Sequence, residues 1–125
     1  MIWLAILCSF ATIIGSAAVL TFLLWIFYLA CMNIVAAKLR EEITAVAFLV
    51  AAMVVGIFYI LDFIVNVYVC SLVFLDFPRE TTVTSRLDRE YLRGGWRASI
   101  AVFVAKHFLN TYDPKGQHCE FPVVK

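Results

Sequence analysis

The chain has 125 residues, of which 64% are hydrophobic and only 15% are charged, whereas ordinary soluble domains are about half apolar and about a quarter charged. A soluble core of this size cannot absorb apolar runs as long as 1–37 and 43–75, because most surface positions would then be apolar. The composition therefore excludes an ordinary soluble domain. It predicts an apolar membrane anchor, residues 1–75, followed by a polar tail, residues 76–125, which contains eight Lys or Arg and six Asp or Glu.

The first apolar run predicts one membrane-spanning helix. The window 10–32 contains eleven Leu, Ile, Phe or Val residues and no charge, which favours insertion by about 3–7 kcal/mol on the membrane-insertion scale. A helix that continues to about residue 37 would be about 55 Å long, against about 30 Å for the hydrocarbon core of a bilayer. Two crossings do not fit this length, so the helix is expected to tilt or to project beyond the bilayer. Because no positive charge precedes Lys38, a removable secretory signal is not expected.

The second apolar run predicts a second span over about 43–61, which holds nineteen uncharged residues, with a helix that extends to about residue 75. Four charges within residues 38–42 mark the connecting loop. Pro78 ends the second helix, because it has no N–H to donate and restricts the preceding residue. The sequence thus predicts an all-α membrane protein built on a two-helix transmembrane hairpin.

The tail is predicted to contain two short helices. Thr84 or Ser85 is expected to cap the first helix, and Gly94-Gly95 to stop it. The second, over 96–110, is amphipathic and too short to span a bilayer, so it is expected to lie along the headgroup region or to pack on the hairpin ends, with Trp96 as an interfacial anchor. A type I turn is predicted at 113–116, where Pro and Gly occupy their favoured positions, and the chain beyond it is expected to be irregular.

The distribution of basic residues predicts the orientation. Four arginines follow the second span within about twenty residues, whereas the loop has two cations, so the positive-inside rule places both termini in the cytoplasm. A basic tail is also attracted to an anionic leaflet, by about 1 kcal/mol per close Lys or Arg. The candidate membrane-interface residues are therefore Trp96, Arg79, Arg86, Arg89 and Arg93.

Three polar residues of the apolar runs are candidates for function: Asp62, Asn66 and Asn33. Asp62 and Asn66 lie one turn apart on the same helical face. An intramembrane carboxylate suggests a water-lined path or a hydrogen bond between subunits. The alternative is an interfacial Asp62 that marks the end of the span. Asn33 is placed to hydrogen-bond across the hairpin, or else it too lies at the interface.

The sequence contains little that indicates a metal site, a cofactor site, an active site or a nucleic-acid-binding site. His118 and Cys119 are the residues nearest to a metal site, but adjacent side chains rarely converge on one ion and no usual ligand spacing is present. No cofactor is expected, and the absence of nucleophile and phosphate-loop motifs predicts a non-enzymatic protein. Acidic residues are interleaved with the basic ones, so nucleic acid is not an expected partner. The expected partners are the lipid bilayer and a homo-oligomer or another membrane protein.

Ordered short motifs run through the second half of the chain: Leu61-Asp62-Phe63, Leu75-Asp76-Phe77-Pro78-Arg79-Glu80, Gly94-Gly95-Trp96-Arg97 and Tyr112-Asp113-Pro114-Lys115-Gly116-Gln117-His118-Cys119. In these motifs the chain resembles a family of small membrane proteins encoded by tailed bacteriophages. The resemblance implies a phage product in the inner membrane of the bacterial host. It brings no catalytic residue and no agreed activity.

The sequence leaves three functions open. The first is a non-enzymatic phage protein that modifies the host envelope, for example in superinfection exclusion, through a tail that docks on lipid or on a protein. The second is a holin-like pore former, since two spans with both ends inside fit that class, although the tail is longer than a holin needs. The third is a structural protein of a membrane-containing particle.

Overall fold

The computed structural model describes residues 1–119 and Phe121, and the regular structure in that part of the chain is all helical. The all-α class predicted from the sequence is therefore confirmed. Helices α1 and α2 are each long and apolar enough to cross a membrane, by length and composition. The helices are α1 (Ile2–Leu39), α2 (Ala45–Phe74, with a π-helical turn at Asn66–Cys70), α3 (Val83–Arg93) and α4 (Gly95–Val104, continued by a π-helical turn at Ala105–Leu109).

Helices α1 and α2 pack side by side in opposite directions and form the hairpin. Two contacts fix their register: the Ser16 and Tyr68 hydroxyl oxygens are 3.2 Å apart, and the ring centroids of Tyr28 and Phe58 are 6.4 Å apart. With both helices rising equally per residue, the end of α2 at Phe74 lies level with about residue 11 of α1. About ten residues of α1 therefore extend beyond the end of α2, and all of them are exposed.

The turn between the two long helices is short and locally satisfied. Glu41 adopts a left-handed conformation, with φ 57°, which reverses the chain after α1. Thr44 then caps α2, since its side-chain hydroxyl accepts a hydrogen bond from the Ala47 N–H at 3.2 Å. Such a cap satisfies one of the backbone donors that a helix leaves free at its first turn.

The tail folds back along the hairpin instead of extending away from it. Helix α3 begins beside Asp62 of α2 and runs towards the end of α2. Helix α4 returns in the opposite direction. Gly94 and Gly95 both take positive φ values, 75° and 64°, and this interrupts the helical backbone between α3 and α4. At its far end α4 reaches α1, where the Tyr28 hydroxyl donates to the Leu109 carbonyl at 2.6 Å.

The buried core joins α2 to the tail. Phe121 is a member of this core, and its ring stacks on the ring of Tyr91, which packs against the core; the two centroids are 4.4 Å apart. Because Cys70 and Phe74 come from α2 and the other members from the tail, neither part completes this core by itself. The core residues are Cys70, Phe74, Leu87, Ala101, Ala105, Cys119 and Phe121.

The start of α3 differs from the sequence prediction. The sequence predicts Thr84 or Ser85 as the cap of this helix, but the cap is Thr82, whose Oγ1 accepts a hydrogen bond from the Ser85 N–H at 3.3 Å. The helix begins earlier because a side chain of α2 supplies an acceptor for the N–H of Val83, and no local pattern encodes that contact.

Removal of this cap is expected to destabilise the tail modestly. Thr82→Ala deletes the Oγ1 acceptor, and loss of an N-cap typically costs about 1 kcal/mol. The midpoint of thermal unfolding in detergent, followed by tryptophan fluorescence, is expected to fall. The matched control is Thr81→Ala, because Thr81 is the exposed neighbouring residue and caps nothing. Equal shifts in the two variants would contradict a capping role for Thr82.

The end of the chain follows the expected pattern as far as it is described. The Gly116 N–H donates to the Asp113 carbonyl at 2.9 Å, which closes the turn predicted at 113–116. Residues 117–119 and Phe121 form no helix or strand. The predicted irregular end otherwise falls on residues 120 and 122–125, which lie outside the described residues.

Candidate functional site

Two buried polar side chains of α2 hold the start of α3. The Asp62 carboxylate accepts a hydrogen bond from the Val83 N–H, 3.3 Å from each of its oxygens, and the Asn66 amide donates to the Glu80 carbonyl. The first N–H groups of a helix lack partners within the helix and carry partial positive charge, so a carboxylate there is favourable. We call Asp62, Asn66 and the segment 80–83 the junction, because they join the hairpin to the tail.

Arginines of the tail cap the C-terminal end of α2. The last carbonyls of a helix have no N–H partners within it and attract cations. The Arg97 Nε donates to the Phe74 carbonyl at 3.1 Å, and the Arg86 Nη2 donates to the Asp76 carbonyl at 2.7 Å. Leu75, which lies between the two acceptors, has a left-handed conformation with φ 50°. The guanidinium groups thus stabilise the point at which the chain turns away from α2.

Glu90 is the buried centre of an ion network. Its side chain is fully buried, and so is that of Arg86, one helical turn earlier. Charged groups removed from water are tolerated only when oppositely charged groups and hydrogen bonds surround them. Four arginine nitrogens lie within 4 Å of the Glu90 carboxylate: Arg86 Nε at 3.8 Å, Arg89 Nη2 at 3.2 Å, Arg93 Nη1 at 3.5 Å and Arg97 Nε at 3.6 Å.

Asp76 is the second acid of this network. Its carboxylate forms ion pairs with Arg89, at 3.0 Å, and with Arg93. Desolvation raises the pKa of Asp76, but hydrogen bonds from the Phe77 N–H, Arg93 and Arg89 outweigh it and lower the pKa to about 2. The charged form of Asp76 is therefore the one that the folded tail binds.

This shift predicts a loss of tail stability in acid. The folded-state pKa of about 2 lies below the ordinary value of about 3.9, so the contribution of Asp76 is complete above about pH 4 and is lost as the pH falls towards 2. Tryptophan fluorescence in detergent is expected to show loosening of the tail in that range. Asp76→Asn should lower stability at pH 7 and remove this part of the acid transition. An unchanged acid transition in Asp76→Asn would contradict the assignment.

The predicted membrane-interface residues lie in two different environments. Arg79 and Trp96 are exposed, and the Arg97 guanidinium lies over the Trp96 ring, 4.5 Å from its centroid. Arg86, in contrast, lies in the interior of the tail. Arg89 is partly exposed and Arg93 is exposed, and both take part in the ion network described above. Of the four arginines, only Arg79 is free of ion pairs within the described residues.

The three polar residues predicted as functional candidates also lie in two different places. Asp62 and Asn66 lie together at the junction, as their spacing on one helical face predicts. Asn33 is exposed, lies far from the junction, and makes no side-chain hydrogen bond within the described residues. No pattern in the sequence indicates the fully buried position of Glu90, because a pair of charges at i and i+4 is also the usual pattern of a solvated helix surface.

His118 connects the chain beyond α4 to both α3 and α1. Its Nδ1 donates to the Asp113 carboxylate at 2.8 Å, and its Nε2 lies 3.2 Å from the Thr84 hydroxyl. The His118 backbone N–H donates to the Asn110 side chain at 2.9 Å. The imidazole ring meets the Tyr28 ring edge to face, with centroids 5.1 Å apart. These contacts place the chain around His118 between α1 and α3.

Within residues 1–119 and Phe121, His118 and Cys119 belong to no group of side chains that could form a metal site. In the described part of the chain, no three His, Cys, Asp or Glu side chains are grouped so that they could hold an ion. The Cys119 side chain is buried in the core. Burial raises the pKa of its thiol to about 12, with a further contribution from Asp88, so Cys119 stays protonated and unreactive while the tail is docked.

The hydrogen-bonded series Asp113, His118, Thr84 has the order of groups found in hydrolase triads. The cavity beside it, which Asp62 also lines, has a volume of about 40 Å³, whereas sites for small molecules usually measure about 300–1,000 Å³. The arrangement is suited to hold the tail against the hairpin and offers no space for a substrate. Comparison with protein-family models, with curated proteins and with solved structures finds no match to this chain.

Proposed function

We propose that the chain is a non-enzymatic integral membrane protein of a bacteriophage, which inserts into the inner membrane of the host as a helical hairpin and uses its docked tail to modify the envelope, as in superinfection exclusion. The observation that carries this proposal is the junction. Because Asp62 and Asn66 are bound by the backbone of the tail, they are not available to line a pore or to activate a substrate, and the tail becomes a fixed unit at one end of the hairpin.

The length of α2 supports an interfacial position for Asp62. Between Ala45 and Leu61 the helix has seventeen uncharged residues and is about 25 Å long, close to the thickness of a hydrocarbon core. The charged loop lies at one end of this stretch and Asp62 at the other. In this placement the junction lies at the membrane surface. The ion network lies at the end of α2, about 18 Å further along the helix, on the cytoplasmic side of that surface.

The outer surface of the tail supports docking on lipid. Leu92, Trp96 and Phe103 are large apolar residues with exposed fractions of 84%, 47% and 55%. Trp is favoured at the membrane interface because its ring is apolar and its N–H is polar. Arg79, exposed on the same tail, adds attraction to anionic headgroups. With both termini on the cytoplasmic side, the tail would rest on the inner leaflet.

Membrane insertion and orientation are tested first. Alkaline carbonate is expected to leave the protein in the membrane pellet. In a Cys8→Ser background, which removes the exposed native thiol, single cysteines at Glu41→Cys and Lys115→Cys report the two sides, because both positions are exposed. An impermeant maleimide added to spheroplasts is expected to label Cys at 41 and not at 115. Extraction by carbonate, or the reverse labelling, would contradict the proposal.

The role in the envelope is tested by expression of the protein without other phage genes. Blocked infection by a related phage, with normal growth and membrane potential, is the expected result. Abrupt depolarisation, with lysis when an endolysin is co-expressed, would instead identify a holin. Normal infection, together with recovery of the protein in purified virions, would instead identify a structural protein of the particle.

A further inference from the structure

The length of α1 exceeds what a bilayer can cover. Residues 2–37 contain no charge and form one continuous helix about 54 Å long, against a hydrocarbon core of about 30 Å. Helices in membranes tilt by up to about 40°, and at that angle this stretch still measures about 41 Å along the membrane normal. Tilt therefore cannot absorb the excess, and part of α1 lies outside the hydrocarbon core.

The register of the hairpin decides which end projects. Lys38 and the charged loop follow directly after the apolar stretch, so there is no excess length on the loop side. The excess lies at the N-terminal end, on the same side as the tail. There α2 ends level with about residue 11 of α1, as the Ser16–Tyr68 contact fixes, and the tail packs along α1 further down, near Trp25 and Tyr28.

The projecting end of α1 is apolar and uncovered. Its large side chains remain exposed by 41–107%: Met1, Ile2, Trp3, Leu4, Ile6, Leu7, Phe10, Ile13 and Ile14. Together they present on the order of 1,000 Å² of apolar surface around the whole circumference of the helix, since an aromatic side chain can bury about 150–250 Å² and an aliphatic one somewhat less. The largest apolar patch on a soluble monomer is about 300–600 Å². One parallel partner covers about half of the circumference, so a pair would bury about 1,000 Å² in total, which is the least that a specific interface needs.

We propose that this end of α1, residues 1–14, pairs with the same segment of a second copy of the chain. The inference rests on the proposed membrane insertion, because insertion is what places these residues outside the hydrocarbon core. A second copy fits them because it presents an equal apolar surface at the same height above the same membrane. Two copies inserted in one membrane are related by a two-fold axis along the membrane normal, so their α1 helices run parallel.

Cys8 gives a direct probe of this pair. At 100° per residue, Leu4 and Cys8 lie on the side of α1 turned away from the α2-facing residues such as Tyr28, and Cys8 is exposed. In a parallel pair the two Cys8 residues lie at the same height, whereas Cys31, Cys70 and Cys119 are buried. Copper phenanthroline is therefore expected to cross-link the full-length protein in native membranes into a disulfide-linked dimer, and Cys8→Ser should abolish the dimer.

A matched pair of charge substitutions tests the surface itself. Leu4→Arg places like charges at the centre of the proposed pair and should reduce the cross-linked fraction at least about tenfold. Leu39→Arg introduces the same charge at an exposed leucine at the opposite end of α1, beside the charged loop, and should leave cross-linking unchanged. Both variants are first checked for retention in the carbonate-resistant pellet, which shows that the hairpin is still inserted.

Three results would overturn the pairing. One is an inserted wild-type protein that gives no Cys8 dimer. Another is equal cross-linking in Leu4→Arg and the wild type, which would indicate random collision. The third is a monomer whose Cys8 reacts only with a lipid-soluble maleimide, which would show that lipid covers this segment. If carbonate extracts the wild-type protein, the proposed function fails as well; if insertion holds and the dimer is absent, only the pairing fails.

Discussion

Glu90→Gln is expected to release the tail from the hairpin. The substitution keeps the size of the side chain but removes the only fully buried carboxylate of the described residues, which lies within 4 Å of nitrogens of four arginines. Arg86, also fully buried, would then lack a counter-ion. Removal of one partner of a buried ion pair typically costs about 3–5 kcal/mol, a large part of the stability of a small domain.

The effect of Glu90→Gln is measured by limited trypsin digestion in detergent. Digestion at the tail arginines should become much faster, while the hairpin helices stay intact. The control is Glu42→Gln, which makes the same chemical change in the exposed pair between Arg40 and Glu42, 2.7 Å apart. Exposed pairs contribute less than about 1 kcal/mol, so this control should digest like the wild type. Similar digestion of the two variants would show that Glu90 does not hold the tail.

Asp62→Leu is expected to undock the start of α3. The substitution leaves the partly buried N–H of Val83 without its acceptor, which costs up to about 1–3 kcal/mol, and removes a negative charge from the N-terminal end of the helix. Asp62→Asn keeps a side-chain oxygen in the same place, so it should retain most of the docking. The order of stability is therefore expected to be wild type, then Asp62→Asn, then Asp62→Leu.

The Cys119 thiol reports this undocking. In the docked tail it is buried and its pKa is raised to about 12; when the tail opens, the pKa returns towards about 8.5, and a water-soluble maleimide reacts. The measurement uses a Cys8→Ser background. Asn33→Leu is the control, because it also replaces a polar residue of an apolar helix but Asn33 is exposed. Full protection of Cys119 in Asp62→Leu would show that the Asp62 contact does not hold the tail.

The two long helices were predictable because the information for them is local. An uninterrupted apolar run specifies a long helix by composition alone, and the four charges of residues 38–42 specify where it must stop. The shared face of Asp62 and Asn66 was predictable for the same reason, since it follows from their spacing. Their partners were not, because Glu80 and Val83 reach them only after the chain reverses beyond Pro78.

The tail arginines show that a count of charges along the sequence does not predict the environment of each charge. The positive-inside comparison treats Arg86, Arg89 and Arg93 as equivalent cations, yet the fold buries the first and engages all three with acidic residues. The i,i+4 spacing of Arg86 and Glu90 is typical of an ion pair, and the two side chains do pair. Its burial depends on α4 and the end of α2 closing over it, which is a property of tertiary packing that no window of the sequence contains.

The core shared by α2 and the tail has a consequence for biosynthesis. Phe74 and Cys70 fill the interior of a unit whose other members emerge later from the ribosome, so that unit cannot acquire its native packing before the second helix is in place. Anchor and tail are therefore not interchangeable modules. A chimera that attaches residues 76–125 to a foreign anchor would lack two interior side chains and the carbonyls that the arginines cap, and we expect quality-control proteases to remove it.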